Sequence, residues 1–284
     1  KGEFLMGFGM SEPGGGTDVL SLKTRASLSN GEWTVRGQKL YTSLADDADA
    51  ILVLCRTEPE TEGKRARGMS LVLTPRQQPA VTVRRLELMG MRAACTCEVF
   101  FDDAKAPESA VLGERGRGWY HLLASLDEER ILCAAMYVGI TSAALEQALQ
   151  YALDRQAFGR SIGQFQAVQH PLAEVATELE QIRLLTYKAA WLLSQGRECA
   201  TEAAMAKLCC TEASWRIVDG AIQIRGGRGY ETSDSLRARG EKALPFERIM
   251  RDMRINTIIE GTSQIMRLFI AREAMDMHFS NLMP

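Results

Sequence analysis

Histidine is scarce. The chain has three, His121, His170 and His278, scattered along 284 positions. They are too few and too far apart for the clustered imidazoles of a metal centre, and no metal is expected. Long apolar runs are missing too. No stretch approaches the roughly 18 residues that a membrane-crossing helix needs, so membrane insertion is not expected. Charge of one sign is also lacking. A net charge of −2 gives no electrostatic reason to expect nucleic acid as a partner. No repeat or low-complexity segment is visible, and Lys1-Gly2-Glu3-Phe4 has no signal-peptide layout. Cysteine is present but odd in number: seven, at positions 55, 95, 97, 133, 199, 209 and 210. Most lie in apolar runs, which predicts reduced, packed thiols in a reducing compartment. Cys95-x-Cys97 and Cys209-Cys210 do not have the spacing of common zinc sites.

What is there is an ordinary globular composition, 46% apolar and 25% charged, long enough for two domains. The first third reads as strands. Trp33–Arg36, Ile51–Leu54, Met69–Thr74 and Cys97–Phe101 are short apolar or alternating runs. Turn signals separate them at Ser29-Asn30-Gly31, Glu62-Gly63-Lys64, Thr74-Pro75 and Asp102-Asp103. Strands in series without helices predict an antiparallel barrel or sandwich. The polar segment Pro59–Arg67 reads as an exposed hairpin loop.

From about Gly118 the period changes. Leu172, Val175, Leu179, Ile182 and Thr186 mark one helix face, with Pro171 placed as a first-turn proline. Ala144, Leu145, Ala148, Leu149 and Ala152 mark another, and Ala203–Ile224 and Ile265–Met275 are further helices. The predicted fold class is therefore α+β multidomain. An antiparallel β-barrel or sandwich over residues 1–113 is followed by an up-and-down helical bundle over 114–284.

Several residues are candidates for chemistry on their own terms. In Ser11-Glu12-Pro13-Gly14-Gly15-Gly16-Thr17, glycines let backbone amides approach a ligand, though a flexible turn reads the same way. Tyr41 and Ser43 share a face if the segment is a strand. Arg155 and Phe158, on a continued helix, would stand one turn apart, or Arg155 simply faces water. Glu260 follows Ile255, Ile258 and Ile259 at a break before a new helix. A carboxylate in such apolar company should have a raised pKa, which suits a general base, although a loop glutamate taken alone is usually just exposed. Asp127-Glu128-Glu129-Arg130 reads as a charged helix start, with Glu129 a second candidate base.

Taken in order, these motifs resemble one family. Phe8–Asp18, Gly37–Ser43, Asp154–Gly159 with Gln166, Gln223–Tyr230, and Arg251–Ile265 are similar to the successive signatures of acyl-CoA dehydrogenases. The resemblance runs from Lys1 almost to the C-terminus. It covers the family's middle β domain and C-terminal helical domain, but not its N-terminal helical domain.

The resemblance implies FAD as cofactor, contacted by Met10, Ser11, Gly16, Thr17, Tyr41, Ser43, Thr262 and Gln264. It also implies that Arg155, Phe158, Gln166, Gln223 and Gly227 serve the flavin of a neighbouring subunit. Tyr41 and Ser43 stand where the family usually has tryptophan and threonine. Glu260 would take the α-proton of an acyl-CoA thioester as hydride leaves the β-carbon for the flavin, giving the trans-2-enoyl-CoA. Some members place the base at the Glu129 position; this sequence has both glutamates. Further implied are an electron-transferring flavoprotein as acceptor, a homodimer or homotetramer, and a place in fatty-acid β-oxidation, in the bacterial cytoplasm or the mitochondrial matrix. A non-catalytic flavin-binding or assembly module and an acyl-CoA oxidase are the alternatives.

Overall fold

A computed structural model describes residues 2–60 and 62–282; Lys1, Thr61 and the final Met283-Pro284 of the ranges above lie outside the described residues. Contacts group the chain into two units, Lys1–Ser125 and Leu126–Pro284.

The first unit is built on one eight-stranded sheet. Its strands are β1 (Met6–Gly9), β2 (Arg25–Ser29), β3 (Glu32–Thr42), β4 (Ala50–Arg56), β5 (Met69–Pro75), β6 (Val81–Arg85), β7 (Cys97–Pro107) and β8 (Val111–Leu112). They lie in the order β6-β7-β3-β2-β4-β5-β8, with β1 also paired to β4. The sheet is mixed and open, which corrects the antiparallel barrel. Both β1 and β2 pair with β4 in parallel, and the strand path does not close among the described residues. Period-2 reading finds strands but says nothing about which neighbour each one takes. The Asn30-Gly31 signal does what its chemistry demands. Both residues have positive φ, 51° and 78°, and join β2 to β3 as a tight hairpin. The core holds Trp33, Val35, Ile51, Val53, Cys55, Val72, Val99 and Phe101. Burying a large apolar side chain contributes about 1.5–3 kcal/mol.

The second unit is helical. Helix α1 (Gly118–Asp154) starts in the first unit and is followed by a two-strand ribbon, β9 (Gln156–Ala157) and β10 (Arg160–Ser161). Then come α2 (Gln166–Ser194), α3 (Ala200–Arg225), α4 (Gly227–Tyr230), α5 (Ser233–Ala238), α6 (Phe246–Met253) and α7 (Ser263–Leu282). The predicted stripe on α2 is the packed face: Leu179, Ile182 and Thr186 are buried and Leu172 and Val175 join the same core. Ala134, Tyr137, Ala144 and Ala148 of α1, and Ala206, Cys210, Ala213 and Ile217 of α3, complete it.

Three details depart from expectation. Pro171 lies inside α2, because the helix begins earlier, at Gln166, after a short turn capped by Ser161. Asp127–Arg130 lie well inside α1 rather than at a helix start. Finally, α1 is long and apolar enough by composition to cross a membrane, since a window with few charges need not be an unbroken apolar run. Its buried Ile131, Ala134, Tyr137, Ala144 and Ala148 belong to the helical core, and Leu122, at its start, packs in the first unit.

Candidate active site

In the β unit, the glycine loop and the end of β3 are joined by one lysine. Lys39 is 0% exposed. Its Nζ donates to the Met10 carbonyl at 3.0 Å and to Glu12 Oε1 at 2.9 Å. Glu12 also accepts from the backbone N–H groups of Lys23 (2.7 Å) and Thr24 (3.0 Å). Burial alone pushes the Glu12 carboxyl up. The Lys39 charge and these hydrogen bonds outweigh that and hold it below the usual range. Leu40 N–H donates to the Ser11 carbonyl at 2.9 Å. Met10 and Ser11 are thereby pinned beside Lys39–Ser43.

A bulge decides what those residues present. Trp33, Val35 and Lys39 face inward at odd positions, so an undisturbed strand would turn Tyr41 inward as well. The register shifts between Lys39 and Thr42, and Tyr41 adopts φ 61°. Thr42 is buried instead, while Tyr41 stands 61% exposed. Ser43, just past the strand, is exposed too. In the loop, a Cβ added at Gly14 or Gly16 would meet nothing within 4 Å, and neither has positive φ. Neither crowding nor backbone conformation demands glycine there. What glycine leaves is bare backbone N–H beside exposed Thr17, which suits a ligand's phosphate or flavin oxygens.

In the helical unit, Arg155 and Phe158 do not share a helix. Helix α1 ends at Asp154, and Phe158 and Gly159, with φ 51° and 79°, form the tight turn between β9 and β10. The Gly159 turn signal overrides the helical spacing. Phe158 is 95% exposed and edge-on to Phe165 at 6.2 Å.

Arg155 lines a cavity of about 440 Å³ with Gly226 and Gly227. Sequence reading missed its other cations, Arg225, Arg228 and Arg239. Arg225 is buried over the rings of Tyr151 (4.7 Å) and Phe246 (5.0 Å). The polar residues 235–242 are partly helical. They carry the end of α5, bury Leu236, and deliver Arg239 to Glu231 (2.6 Å) and Glu241 to Arg228 (2.8 Å). A concave site with four guanidiniums and glycines whose Cβ space is open fits a diphosphate. Gln223 is exposed on the last turn of α3 and Gln166 on the first residue of α2. The cavity brings together Arg155 and Gly227, but its lining includes neither glutamine nor Phe158.

Glu260 lies in a second setting, between α6 and α7. It has φ 53°, a left-handed conformation costing a glutamate about 1–2 kcal/mol. Gly261 follows at φ 85°, where a Cβ would lie 2.4 Å from Met266 Cε. Thr262 then opens α7: its Oγ1 accepts from Ile265 N–H at 3.2 Å and its carbonyl from Met266 N–H at 2.8 Å. Gln264 is exposed in the first turn of α7. Burial raises the Glu260 carboxyl above the usual carboxylate range, and Glu129 pushes the same way, while Lys207 and Arg130 oppose them. The charges of the two glutamates singled out from sequence thus act on one another. A partly buried carboxyl with raised pKa, held on a strained turn, is equipped to take a proton.

Comparison with known proteins agrees with this geometry. Residues 7–104 match the family described as acyl-CoA dehydrogenase, middle domain, and residues 116–275 match acyl-CoA dehydrogenase, C-terminal domain. The chain is 38% identical to the mitochondrial short-chain specific acyl-CoA dehydrogenase of Bos taurus, covering 95% of this chain and 63% of that protein. It is 36% identical to an acyl-CoA dehydrogenase of Bacillus subtilis, covering 96% and 69% respectively. The solved acyl-CoA dehydrogenase of Geobacillus kaustophilus superposes with a TM-score of 0.88 at 34% identity, over 96% of this chain and 69% of that one. The chain thus spans about two thirds of the length of these relatives. By matched domains, order of motifs and fold, this chain belongs to the acyl-CoA dehydrogenase family.

Proposed function

We propose that the protein carries out FAD-dependent α,β-dehydrogenation of an acyl-CoA thioester, with Glu260 as the base. The observation that carries this reading is the Glu260 turn, which places a carboxyl of raised pKa in left-handed backbone between two helices. The family is one of FAD-dependent flavoproteins, and bound FAD supplies the hydride acceptor.

The chain's own residues do the rest. Met10, Ser11, Tyr41 and Ser43 receive the flavin, and Gly16 and Thr17 its phosphates, on the frame that Lys39 and Glu12 hold. Thr262 and Gln264 add contacts from the start of α7. Arg155 and Gly227, with Phe158, Gln166 and Gln223, receive the diphosphate end of the cofactor of a neighbouring subunit, which makes a homodimer or homotetramer the working form. The β unit then binds flavin, and the helical unit supplies the base and the subunit contacts. Glu260 accepts the α-proton while its backbone N–H donates to the thioester oxygen, where charge develops. Glu129 acts beside it as a second carboxylate that raises its proton affinity. Electrons leave to an electron-transferring flavoprotein. The bacterial and mitochondrial relatives support a cytoplasmic or matrix location.

The test is anaerobic titration of the FAD-reconstituted protein with acyl-CoA thioesters of different chain length, read by flavin absorbance. Bleaching by at least one thioester is expected. No bleaching by any of them, with FAD bound, overturns the reading. Peroxide produced in stoichiometric amounts under air would instead identify an oxidase.

A further inference from the structure

Lysine 207 lies on α3 and is 1% exposed. Burying an ammonium is costly unless something uses its charge. Among the described residues it makes no ion pair within 4 Å, and its one hydrogen bond runs from Nζ to the Gly261 carbonyl at 2.7 Å. Gly261 is the residue directly after Glu260, and the two form a consecutive left-handed pair, φ 53° and 85°. The lysine therefore clamps the backbone of the turn that aims the carboxylate. Its positive charge stands near that carboxylate without being consumed by a direct bond to it.

We propose that Lys207 is a positioning residue for the Glu260 base. Its ammonium fixes the Glu260–Gly261 turn through the Gly261 carbonyl and sets a positive charge beside that turn, where it favours the carboxylate form of Glu260. This rests on Glu260 being the base. The groups that face this pair can be named element by element. From α1 come Glu129, Arg130, Cys133 and Tyr137, and from α3 comes Glu212, which is paired with Arg267 of α7 at 2.7 Å. Arg130 is partly engaged elsewhere, 3.3 Å from Asp127 and over the Phe269 ring at 5.0 Å. Lys207 is thus the cation best placed to act on both the turn and the carboxyl. Burial pushes its own pKa down to about 8 against the pull of Glu260, so it remains charged near neutrality.

The experiment separates clamp from charge. Lys207→Gln keeps an N–H donor for the Gly261 carbonyl and removes the charge; Lys207→Met removes both. In FAD-reconstituted protein labelled with ¹³C-carboxyl glutamate, the Glu260 signal is assigned by its loss in Glu260→Gln, then titrated with pH. Its titration is expected to move to higher pH in both Lys207 variants. The acid limb of single-turnover flavin reduction is expected to move with it. At high pH the Lys207→Gln rate returns to the parent plateau. The Lys207→Met plateau stays roughly tenfold lower, the scale of a lost hydrogen bond to a charged group. An unmoved Glu260 titration in folded Lys207→Gln overturns the proposal; if Lys207→Met does not fold, Lys207→Gln alone decides. The titration needs no turnover, so a protein that oxidises no acyl-CoA would sink the proposed function and still show whether Lys207 governs Glu260.

Discussion

Among the described residues two lysines are buried, Lys39 in the β unit and Lys207 in the helical unit, both at or below 1% exposure, and their settings differ. Lys39 has a carboxylate at 2.9 Å and a carbonyl at 3.0 Å, and its partner Glu12 is further satisfied by two backbone N–H groups. Lys207 has one carbonyl and a carboxylate it influences only through space. A buried charge that is fully partnered stiffens a frame. One that is left partly partnered stays available to tune a neighbour. The first pattern underlies the surface proposed to receive the cofactor, and the second underlies the proposed base.

Four measurements break or sharpen that contrast. The largest effect is expected from Glu260→Gln. Flavin reduction falls by about 10² to 10⁴-fold or more in single-turnover bleaching, while acyl-CoA binding survives. A near-parent rate in this variant, with a slow Glu129→Gln, would reassign the base. Next comes Lys39→Met, which strands the Glu12 carboxylate and costs about 3–5 kcal/mol by denaturant unfolding. FAD retention after desalting is expected to fall too, and adding Glu12→Gln recovers part of the stability. Full stability in the single variant would deny the frame role.

Gly261→Ala places a Cβ against Met266 in backbone that L-residues avoid. A loss of about 1–2 kcal/mol is expected from conformation alone, with slower flavin reduction and unchanged FAD binding.

The smallest effect is a pH dependence. Folding lowers the Lys207 pKa from its usual 10.5 to about 8. The unfolded chain therefore binds more protons in that window, and stability rises with pH there. Burial lowers the pKa of Lys39 as well, with Glu12 opposing, so the parent alone does not isolate Lys207. The buried Cys55 and Cys210 thiols, raised by burial, act in the opposite direction over the same range. The expected outcome is therefore a difference: followed by melting temperature, the parent gains on Lys207→Gln as pH rises from 8 to 10.5. Glu12 has the same sign in a more acid window. Its lowered pKa stabilises above the unfolded value and is lost as pH falls through the folded one, so Glu12→Gln flattens the acid side.

What the sequence discloses depends on which force is at work. Apolar runs show where packing happens, so the centres of β3, β4, β5 and β7 and the faces of α2 and α3 are readable. Short edge strands such as β6, whose Val81–Arg85 alternates only weakly, are not, because pairing rather than burial makes them strands. Local turn chemistry read correctly at Asn30-Gly31, but at Phe158-Gly159 the helical spacing hid an equally plain signal. Glu260, Tyr41 and Arg155 take their expected roles from the resemblance, and their settings are invisible in sequence: a left-handed turn, a bulge and an arginine-lined cavity are tertiary facts. The two lysines were overlooked because lysine usually marks a wet face. Lys207 did leave a trace. Ala203, Lys207, Cys210 and Ser214 step by three and four, and all four are buried, so a charge interrupts a stripe of small residues.

The Lys207–Gly261 hydrogen bond spans 54 positions of sequence, which says something about time as well as place. Glu260 is left-handed against its own preference, and the contact that holds the turn exists only after α3 and the start of α7 have met. Closing such a loop costs chain entropy before any contact repays it. The turn that carries the base is therefore expected to order late in refolding, after the helices, so that secondary structure returns before the capacity to reduce flavin does.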